Sequence, residues 1–331
     1  MRTCLNNWDG SRPLGRRSAL LGAGALIAAA LTAACGVAGG ADDDTPLIVA
    51  TTGHIHDALL HLTEGVPVEL RLLCGPGVDP HSYAATARDV IDMQRAEVIV
   101  YNGFHLEAQL GELLEEGPLS DRSWAMAGGF PAARVLDWVE DGEVDPGAPN
   151  DPHIWNHLQG WSEAVEALAL HLAGLFPDHA ERIADQGAAY VAEIRTADEW
   201  ARGVLGKLPV ERRVLVSGHD AFNYFAVAYE FETHAVLGVG NDPEADIRTM
   251  QTVAQVCADK EVPVIFVESI TDPKVTRALE EACRGRGWST RIADEPLHSD
   301  DLGENPPVDT YLGAFRTNVE LIADGLGGES R

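Results

Sequence analysis

The chain has few basic residues and few cysteines, and each shortage excludes a class of protein. Lysine and arginine number 24 against 52 acidic residues, which gives a formal net charge of −28. Binding to nucleic acid needs a basic surface, so no nucleic acid partner is expected. The five cysteines in 331 residues include no CxxC pair. This is typical neither of a disulfide-stapled domain nor of a cysteine zinc site.

Motifs of common enzymes are also missing. The sequence contains no HExxH, no GxSxG and no P-loop, so nothing local indicates a zinc protease, a serine hydrolase or a nucleotide-binding protein. The acidic composition is consistent with loose attraction of cations, and equally with adaptation to a salty habitat.

The N-terminus has the pattern of a targeting segment. Arg16 and Arg17 precede an alanine-rich apolar run that ends in small residues before Cys35. This resembles a bacterial lipobox, with Thr32 where leucine is usual. We expect residues 1–35 to be a lipoprotein signal peptide, Cys35 to carry the lipid, and 36–45 to be a flexible tether. Secretory cleavage without lipid is the alternative, and both Sec and Tat export remain open. Either way the mature chain lies outside the cytoplasm.

The mature chain begins with alternating strands and helices. Apolar, β-branched runs at residues 46–52, 66–73 and 96–101 predict strands, and helices are expected from His54 and after a cap at Thr86. This alternation predicts an open parallel sheet with crossover helices. Ligands in such sheets bind beyond the carboxyl ends of the strands.

A long amphipathic segment follows. Helical periodicity runs over residues 155–176 and, after Pro177, over 178–208. Beyond it, strands are expected at 213–217, 262–268 and 288–293. A helix is expected to begin at 221–225, and two more to span 273–284 and 310–326. We therefore predict an α/β fold of two lobes, each a mainly parallel sheet with helices on both faces, joined by one long rigid backbone helix. The N-terminal lobe would span 46–177, the linking helix 178–208 and the C-terminal lobe 209–331. An ordinary long helix within one lobe is the alternative.

The tripeptide Asp-Pro-His occurs twice, ending at His81 and at His153. Proline stiffens the backbone around each histidine, which suits a metal ligand. The alternative is two unrelated helix starts with Asp-Pro as cap and first turn. His219, after the strand 213–217, and Asp300, in a loop, also lie at strand ends or loops. Three imidazoles and one carboxylate suit Zn²⁺, Mn²⁺ or Fe²⁺. Four protein ligands leave no open position for an activated water, which favours binding and release over hydrolysis.

Several stretches of the chain together resemble the ZnuA/TroA-type metal receptors of bacterial ABC importers, the cluster A-I solute-binding proteins. These stretches are TTGHIHDAL (51–59), GPGVDPHSYAATARDV (75–90), AEVIVYNGFHLE (96–107), NDPHIW (150–155), RRVLVSGHDAFNYFAVAY (212–229), VPVIFVESI (262–270), HSDDLG (298–303) and TYLGAFRTN (310–318). The resemblance implies two lobes, a metal ion in the cleft between them, and the ligands His81, His153, His219 and Asp300. It also implies a non-enzymatic receptor, anchored to the membrane by lipid, that delivers zinc or manganese to a permease with its ATPase. We expect a monomer.

The chain departs from this family at two points. Residues 137–150 contain no histidine-rich loop, and His157 stands where the family usually has aspartate. We expect His157 to face solvent, with an accessory ligand role as the alternative. His54, His56 and His105 are expected to be surface or packing residues, and Cys74 a packing residue.

Two other functions are possible for the same residues. An extracellular zinc-dependent hydrolase would need a base, for which Glu268 is the candidate by motif position. An adhesin-like surface lipoprotein is the second alternative, without independent support in the sequence. The sequence alone fixes neither the physiological metal nor whether Cys257 and Cys283 form a disulfide.

Overall fold

The computed structural model describes residues 45–140, 143–144, 149–240 and 246–327. The predicted signal peptide 1–35, including Cys35, and nearly all of the tether 36–45 lie outside these ranges. The segment Asp44–Arg331 forms one compact unit. None of the described helices combines the length and the apolar character needed to cross a membrane.

The residues before the long helix, which we call the N-terminal half, contain a four-stranded parallel sheet. Its strands are β1 (Leu47–Ala50), β2 (Glu69–Leu72), β3 (Val98–Tyr101) and β4 (Ser123–Ala125), in the order β2-β1-β3-β4. Ala50 pairs with Leu72 on one side and Val100 on the other, so these three strands end at the same edge. The strands predicted at 46–52, 66–73 and 96–101 are all present, in shorter form.

Helices and short segments complete this half. The helices are α1 (Gly53–Leu62), α2 (Ala87–Arg95), α3 (Met126–Gly129) and α4 (Leu158–Leu175). A two-residue antiparallel pair joins β5 (Val139–Glu140) to β6 (Glu143–Val144). A π-helix covers Glu112–Glu116, and 3₁₀ turns cover Ser120–Arg122, Ala132–Arg134, Ile154–Asn156 and Pro177–His179. A further 3₁₀ turn, Val210–Arg212, lies after the long helix. The cap expected at Thr86 is a full capping box with Asp89, which satisfies the first N–H groups of α2.

The long helix α5 (Ala180–Leu205) has 26 residues and is about 39 Å long at 1.5 Å per residue. It begins after the 3₁₀ turn at Pro177, because proline cannot continue the preceding helix. Its buried positions recur at helical spacing, as the sequence predicts: Ile183, Gly187, Tyr190, Val191, Ile194, Ala197, Ala201 and Leu205. All of these except Gly187 belong to a hydrophobic core that also includes residues of β1, α1 and α4 and of the chain after α5.

The residues after α5, which we call the C-terminal half, contain two parallel strand pairs. β7 (Val214–His219) pairs with β8 (Glu232–Leu237), and β9 (Val264–Ile265) pairs with β10 (Arg291–Ile292). The helices are α6 (Asn223–Tyr229), α7 (Ile247–Asp259), α8 (Pro273–Gly285) and α9 (Tyr311–Gly327). β8 and α7 were not predicted, and the strands expected at 262–268 and 288–293 are reduced to two residues each. The α/β fold with parallel sheets and one long helix is confirmed, whereas the lobe boundaries remain a prediction.

The three described cysteines are buried and free. Cys257 and Cys283 lie in hydrogen-bond contact between α7 and α8, and this contact together with burial raises the pKa of Cys257. The structure therefore contains no Cys257–Cys283 disulfide. Cys74 packs in a hydrophobic cluster with β1 and β3, which agrees with the expected packing role.

Candidate metal centre

Four predicted site residues converge at one point. One side-chain ligand atom from each of His81, His153, His219 and Asp300 lies within 4.8 Å of the corresponding atoms of the others. His81 follows β2, His153 precedes α4, His219 is the last residue of β7, and Asp300 follows β10. All four side chains are buried. The two halves of the chain thus contribute two residues each.

Asp300 lies at the centre of the group. Its Oδ2 is 3.2 Å from Nε2 of His81 and 3.2 Å from Nε2 of His219, while its Oδ1 is 3.6 Å from Nε2 of His153. Two ligands about 2.0 Å from a tetrahedral ion lie about 3.3 Å apart. The observed separations therefore match a common divalent ion, and both carboxylate oxygens face the histidines.

The converging atoms make no hydrogen bonds within the described part of the chain. This holds for Nε2 of all three histidines and for both Asp300 oxygens. Buried polar atoms are normally paired, because an unpaired one costs about 1–3 kcal/mol. Such a group of unpaired nitrogen and oxygen atoms is the arrangement that a metal ion would satisfy.

The aspartate of each tripeptide fixes the following histidine. Oδ1 of Asp79 accepts the backbone N–H of His81 at 2.9 Å, and Oδ1 of Asp151 accepts that of His153 at 2.9 Å. Asp151 Oδ1 also lies 2.8 Å from Nδ1 of His153. A carboxylate on Nδ1 leaves Nε2 as the free, more basic nitrogen. The residues before the prolines therefore hold the histidines rather than begin α-helices.

Glu268 plays the same part for His219. Its Oε1 accepts the backbone N–H of His219 at 2.8 Å, and its Oε2 contacts Nδ1 of that ring. Glu268 follows β9, next to the end of β7, and is buried. The candidate base of the hydrolase hypothesis is thus occupied in orienting His219.

Charges within the group shift three pKa values. Burial lowers the pKa of His219, but Glu268 and Asp300 more than offset it and raise this pKa well above its usual value. For His153, burial is likewise outweighed by Asp300 and Asp151, so its pKa is raised. Burial would raise the pKa of Asp300, yet His219 and His153 lower it well below its usual range. These raised pKa values favour protonated imidazoles, and a cation that binds there would displace those protons.

A strained loop after β3 supports the second tripeptide. Gly103, Phe104 and His105 all have positive φ angles, of 85°, 52° and 66°. The buried Glu107 holds this loop by accepting the N–H of Asn102 at 2.7 Å. Asn102 Nδ2 in turn donates to the carbonyl of Pro152 at 2.8 Å. These supporting residues were not predicted, although the Asn102-Gly103 pair was a turn signal.

The prediction that His157 faces solvent is wrong. Its side chain is 7% exposed and lies edge-on to Phe130. Its Nδ1 accepts the N–H of Gly160 at 3.1 Å, so the imidazole caps the first turn of α4. A histidine can replace the usual capping side chains because its ring nitrogen is an acceptor. His157 is not part of the converging group.

The other histidines match the surface or packing role expected for them. His54 is buried and stacks on Trp155, with ring centroids 4.8 Å apart. Its pKa is lowered to about 4, mainly by burial. His56 is partly exposed and His105 is exposed.

Comparison with known families decides the assignment. A family model described as ZnuA, the periplasmic component A of a zinc-uptake complex, matches residues 48–325. The chain belongs to the ZnuA family. The resemblance of the sequence to ZnuA/TroA-type receptors is thereby confirmed.

Similar members of the ZnuA family are described as binding different metals. The zinc-binding protein TroA of Treponema pallidum (strain Nichols) is 37% identical over 296 residues, which cover 89% of this chain and 93% of that protein. The manganese-binding lipoprotein MntA of Bacillus subtilis (strain 168) is 32% identical over 313 residues, covering 94% and 99%. The solved structure of the periplasmic zinc binding protein TroA from Treponema pallidum has a TM-score of 0.79 at 36% identity, and covers 85% of this chain and 99% of that one.

Proposed function

We propose that this ZnuA-family chain is the extracytoplasmic receptor of an ABC importer for a divalent transition metal. His81, His153, His219 and Asp300 would bind the ion as transported cargo. The observation that carries this proposal is the buried convergence of their unpaired Nε2 and Oδ atoms. The permease and its ATPase would receive the ion.

A receptor fits the site better than an enzyme does. A zinc hydrolase needs a free base beside an open metal position. Glu268 is bound through both of its oxygens to His219, and Asp151 is bound to His153. The neighbouring carboxylates orient ligands, which serves capture and release of an ion.

The donor set accommodates more than one metal. Three imidazoles suit Zn²⁺, whereas five donor atoms, reached when both Asp300 oxygens bind, also suit Mn²⁺ or Fe²⁺. The relatives TroA and MntA are named as zinc-binding and manganese-binding. We propose that this receptor accepts zinc and manganese. Metal content of protein isolated from its native envelope, after growth on zinc- or manganese-depleted medium, would identify the physiological ion.

The anchor is proposed from the sequence. Cys35 would carry the lipid that holds a monomeric receptor at the outer face of the membrane, in line with the lipoprotein named in MntA. Replacement Cys35→Ser should release the protein from washed membranes into the soluble extracytoplasmic fraction. Retention of the variant in the membrane would contradict the lipid anchor.

Metal stoichiometry tests the ligands. In native mass spectrometry of the mature chain, we expect one Zn²⁺ or Mn²⁺ per wild-type molecule. His81→Ala and Asp300→Ala should lose tight binding while the metal-free fold, followed by circular dichroism, stays intact. His179→Ala removes a partly exposed histidine just before α5 and should bind metal normally. Unchanged stoichiometry in either ligand variant would refute the assignment.

A further inference from the structure

The two loops that carry the tripeptides are held very differently. We call residues 74–83 the first tripeptide loop and residues 149–157 the second. In the second loop, every residue from Asp151 to His157 is buried. In the first loop, Pro76, Gly77 and Ser82 are exposed. His81 is itself 8% exposed, whereas His153 and His219 are 0% exposed. His81 is therefore the member of the group nearest to solvent.

The second tripeptide loop is fastened to the C-terminal half by several hydrogen bonds. Asp151 accepts hydrogen bonds from Asn223 Nδ2 at 3.1 Å and, through its carbonyl, from Tyr224 Oη at 3.0 Å. Trp155 Nε1 donates to the carbonyl of Ser299 at 2.7 Å, and the Trp155 carbonyl accepts from Tyr311 Oη at 2.6 Å. Moving His153 would break this set of buried contacts.

The first tripeptide loop reaches the C-terminal half through Asp301. The backbone N–H of Gly77 donates to Oδ2 of Asp301 at 2.7 Å, a contact between residues 224 positions apart. Gly77 has a φ of +72°, a left-handed conformation that glycine adopts without strain. The other oxygen of Asp301 is held within its own half by the hydroxyl of Ser269 and lies 3.2 Å from Nδ1 of His298.

A cleft lies beside this contact, lined by residues of the first loop (Cys74, Gly75 and Pro76), of α1 and of the C-terminal half (Leu302, Gly303 and Asp309). Asp301 is held in its own half through Oδ1 and accepts the Gly77 N–H with Oδ2. Its carboxylate is therefore well placed to hold the loop.

We propose that Asp301 is a latch that holds the first tripeptide loop, with His81, closed over the bound metal and so sets the rate of metal release. Asp301 is a positioning residue that does not touch the ion. The inference rests on the proposed receptor function and extends it: His81 is the ligand that moves, while His153, His219 and Asp300 stay in place.

The rate of Zn²⁺ dissociation into excess chelator, followed by stopped-flow fluorescence on the mature chain, tests the latch. Asp301→Ala removes the acceptor and should speed dissociation by about tenfold to a hundredfold, the range expected for one hydrogen bond to a charged group. Asp301→Asn keeps an acceptor oxygen without the charge and should speed it by less than about tenfold. Glu304→Gln, an exposed residue of the same loop, removes the same charge and should leave the rate unchanged.

Two results would overturn the latch. One is a wild-type rate in Asp301→Ala. The other is equal acceleration in Asp301→Ala and Asp301→Asn, because the charge near the ion would then explain the effect. Failure of the wild-type chain to bind Zn²⁺ would instead refute the proposed receptor function itself.

Hydrogen exchange on the wild-type protein provides a test that needs no variant. Removal of metal should increase amide exchange in peptides from residues 74–83 by more than in peptides from 149–157. Equal protection of the two segments, or greater opening of the second, would contradict the proposal even if the Asp301 variants failed to fold.

Discussion

Asp151 Oδ1 lies 2.8 Å from His153 Nδ1 and also accepts the backbone N–H of the same histidine. One carboxylate oxygen therefore fixes both the position of the residue and the orientation of its ring. The Nε2 atom then faces Asp300 at the centre of the group. Orientation by a neighbouring carboxylate is a common way to tune a metal-binding histidine.

Asp151→Asn should weaken metal binding. The amide removes the negative charge from His153 Nδ1, so the imidazole becomes a poorer and less well-oriented ligand. We expect a loss of about 10–100-fold in Zn²⁺ affinity, measured by competition with a chelator. Asp178→Asn, an exposed change before α5, should bind like the wild type. An unchanged affinity in Asp151→Asn would show that this contact does not tune the site.

Metal affinity should fall as the pH is lowered, and Glu268→Gln should alter this profile. Glu268 and Asp300 raise the pKa of His219, so its proton is retained to higher pH and the ion must displace it there. Affinity should therefore keep rising with pH above the usual histidine range near 6.5. Glu268→Gln lowers the pKa of His219, so the rise should shift to lower pH, with weaker binding at pH 8. Chelator competition between pH 5.5 and 8.5 measures both effects, and an identical profile in the variant would contradict them.

Tyr190→Phe should destabilise the metal-free protein. Tyr190 Oη donates to Oδ2 of the buried Asp57 at 2.5 Å. Loss of this hydrogen bond leaves that oxygen with His61 Nδ1 3.7 Å away, and should cost about 1–3 kcal/mol. Burial raises the pKa of Asp57 and the Tyr190 hydrogen bond opposes this rise. In the variant the charged carboxylate is less favourable, so the cost should be small below pH 3.8 and grow as the pH rises through the folded pKa. Urea unfolding at pH 4 and pH 7 tests this.

A matched tyrosine provides the control for this prediction. Tyr101 is largely buried at the end of β3, and its hydroxyl has no hydrogen-bond partner in the described structure. Tyr101→Phe should change the free energy of unfolding by less than about 0.5 kcal/mol at both pH values. Equal effects of the two substitutions would indicate that the Asp57 contact contributes nothing specific.

Two glycines of α5 should respond in opposite directions to alanine. A Cβ at Gly187 would lie 2.7 Å from Cβ of Ala169 on α4, so Gly187→Ala should force the two helices apart and cost about 1–3 kcal/mol. A Cβ at Gly203 would meet nothing within 4 Å, so Gly203→Ala should stabilise the helix by about 0.5–1 kcal/mol. Thermal unfolding of both variants measures the difference. If Gly187→Ala instead raised the stability of the protein, α4 and α5 could accommodate a methyl group between them.

The sequence predicted the features that depend on local pattern. Apolar runs such as residues 46–52 indicated the strands, because a buried strand shows its burial in its own residues. The helical period of residues 178–208 predicted α5, although Pro177 and its 3₁₀ turn moved the beginning to Ala180. The helix cap formed by Thr86 and Asp89 was also predicted from the sequence, since both residues lie within one helical turn.

The candidate site was found from the repeated tripeptide, His219, Asp300 and the family resemblance, and the structure brings these four residues together. What surrounds them depends on residues far apart in the sequence. Glu268 lies 49 positions from His219, and no periodicity connects the two. The burial of His157 was not predicted. Its ring caps α4 and contacts Phe130, and both contacts depend on how α4 packs against the rest of the N-terminal half.

The sequence by itself determined the alternation of strands and helices, the long helix and the residue types of the site, because each is encoded by neighbours along the chain. Only the tertiary structure decided which nitrogen each of His153 and His219 presents, that the second tripeptide loop is buried, and that Gly77 of the first loop meets Asp301. These are contacts between distant segments, and their geometry is set by the packing of the two halves around one core.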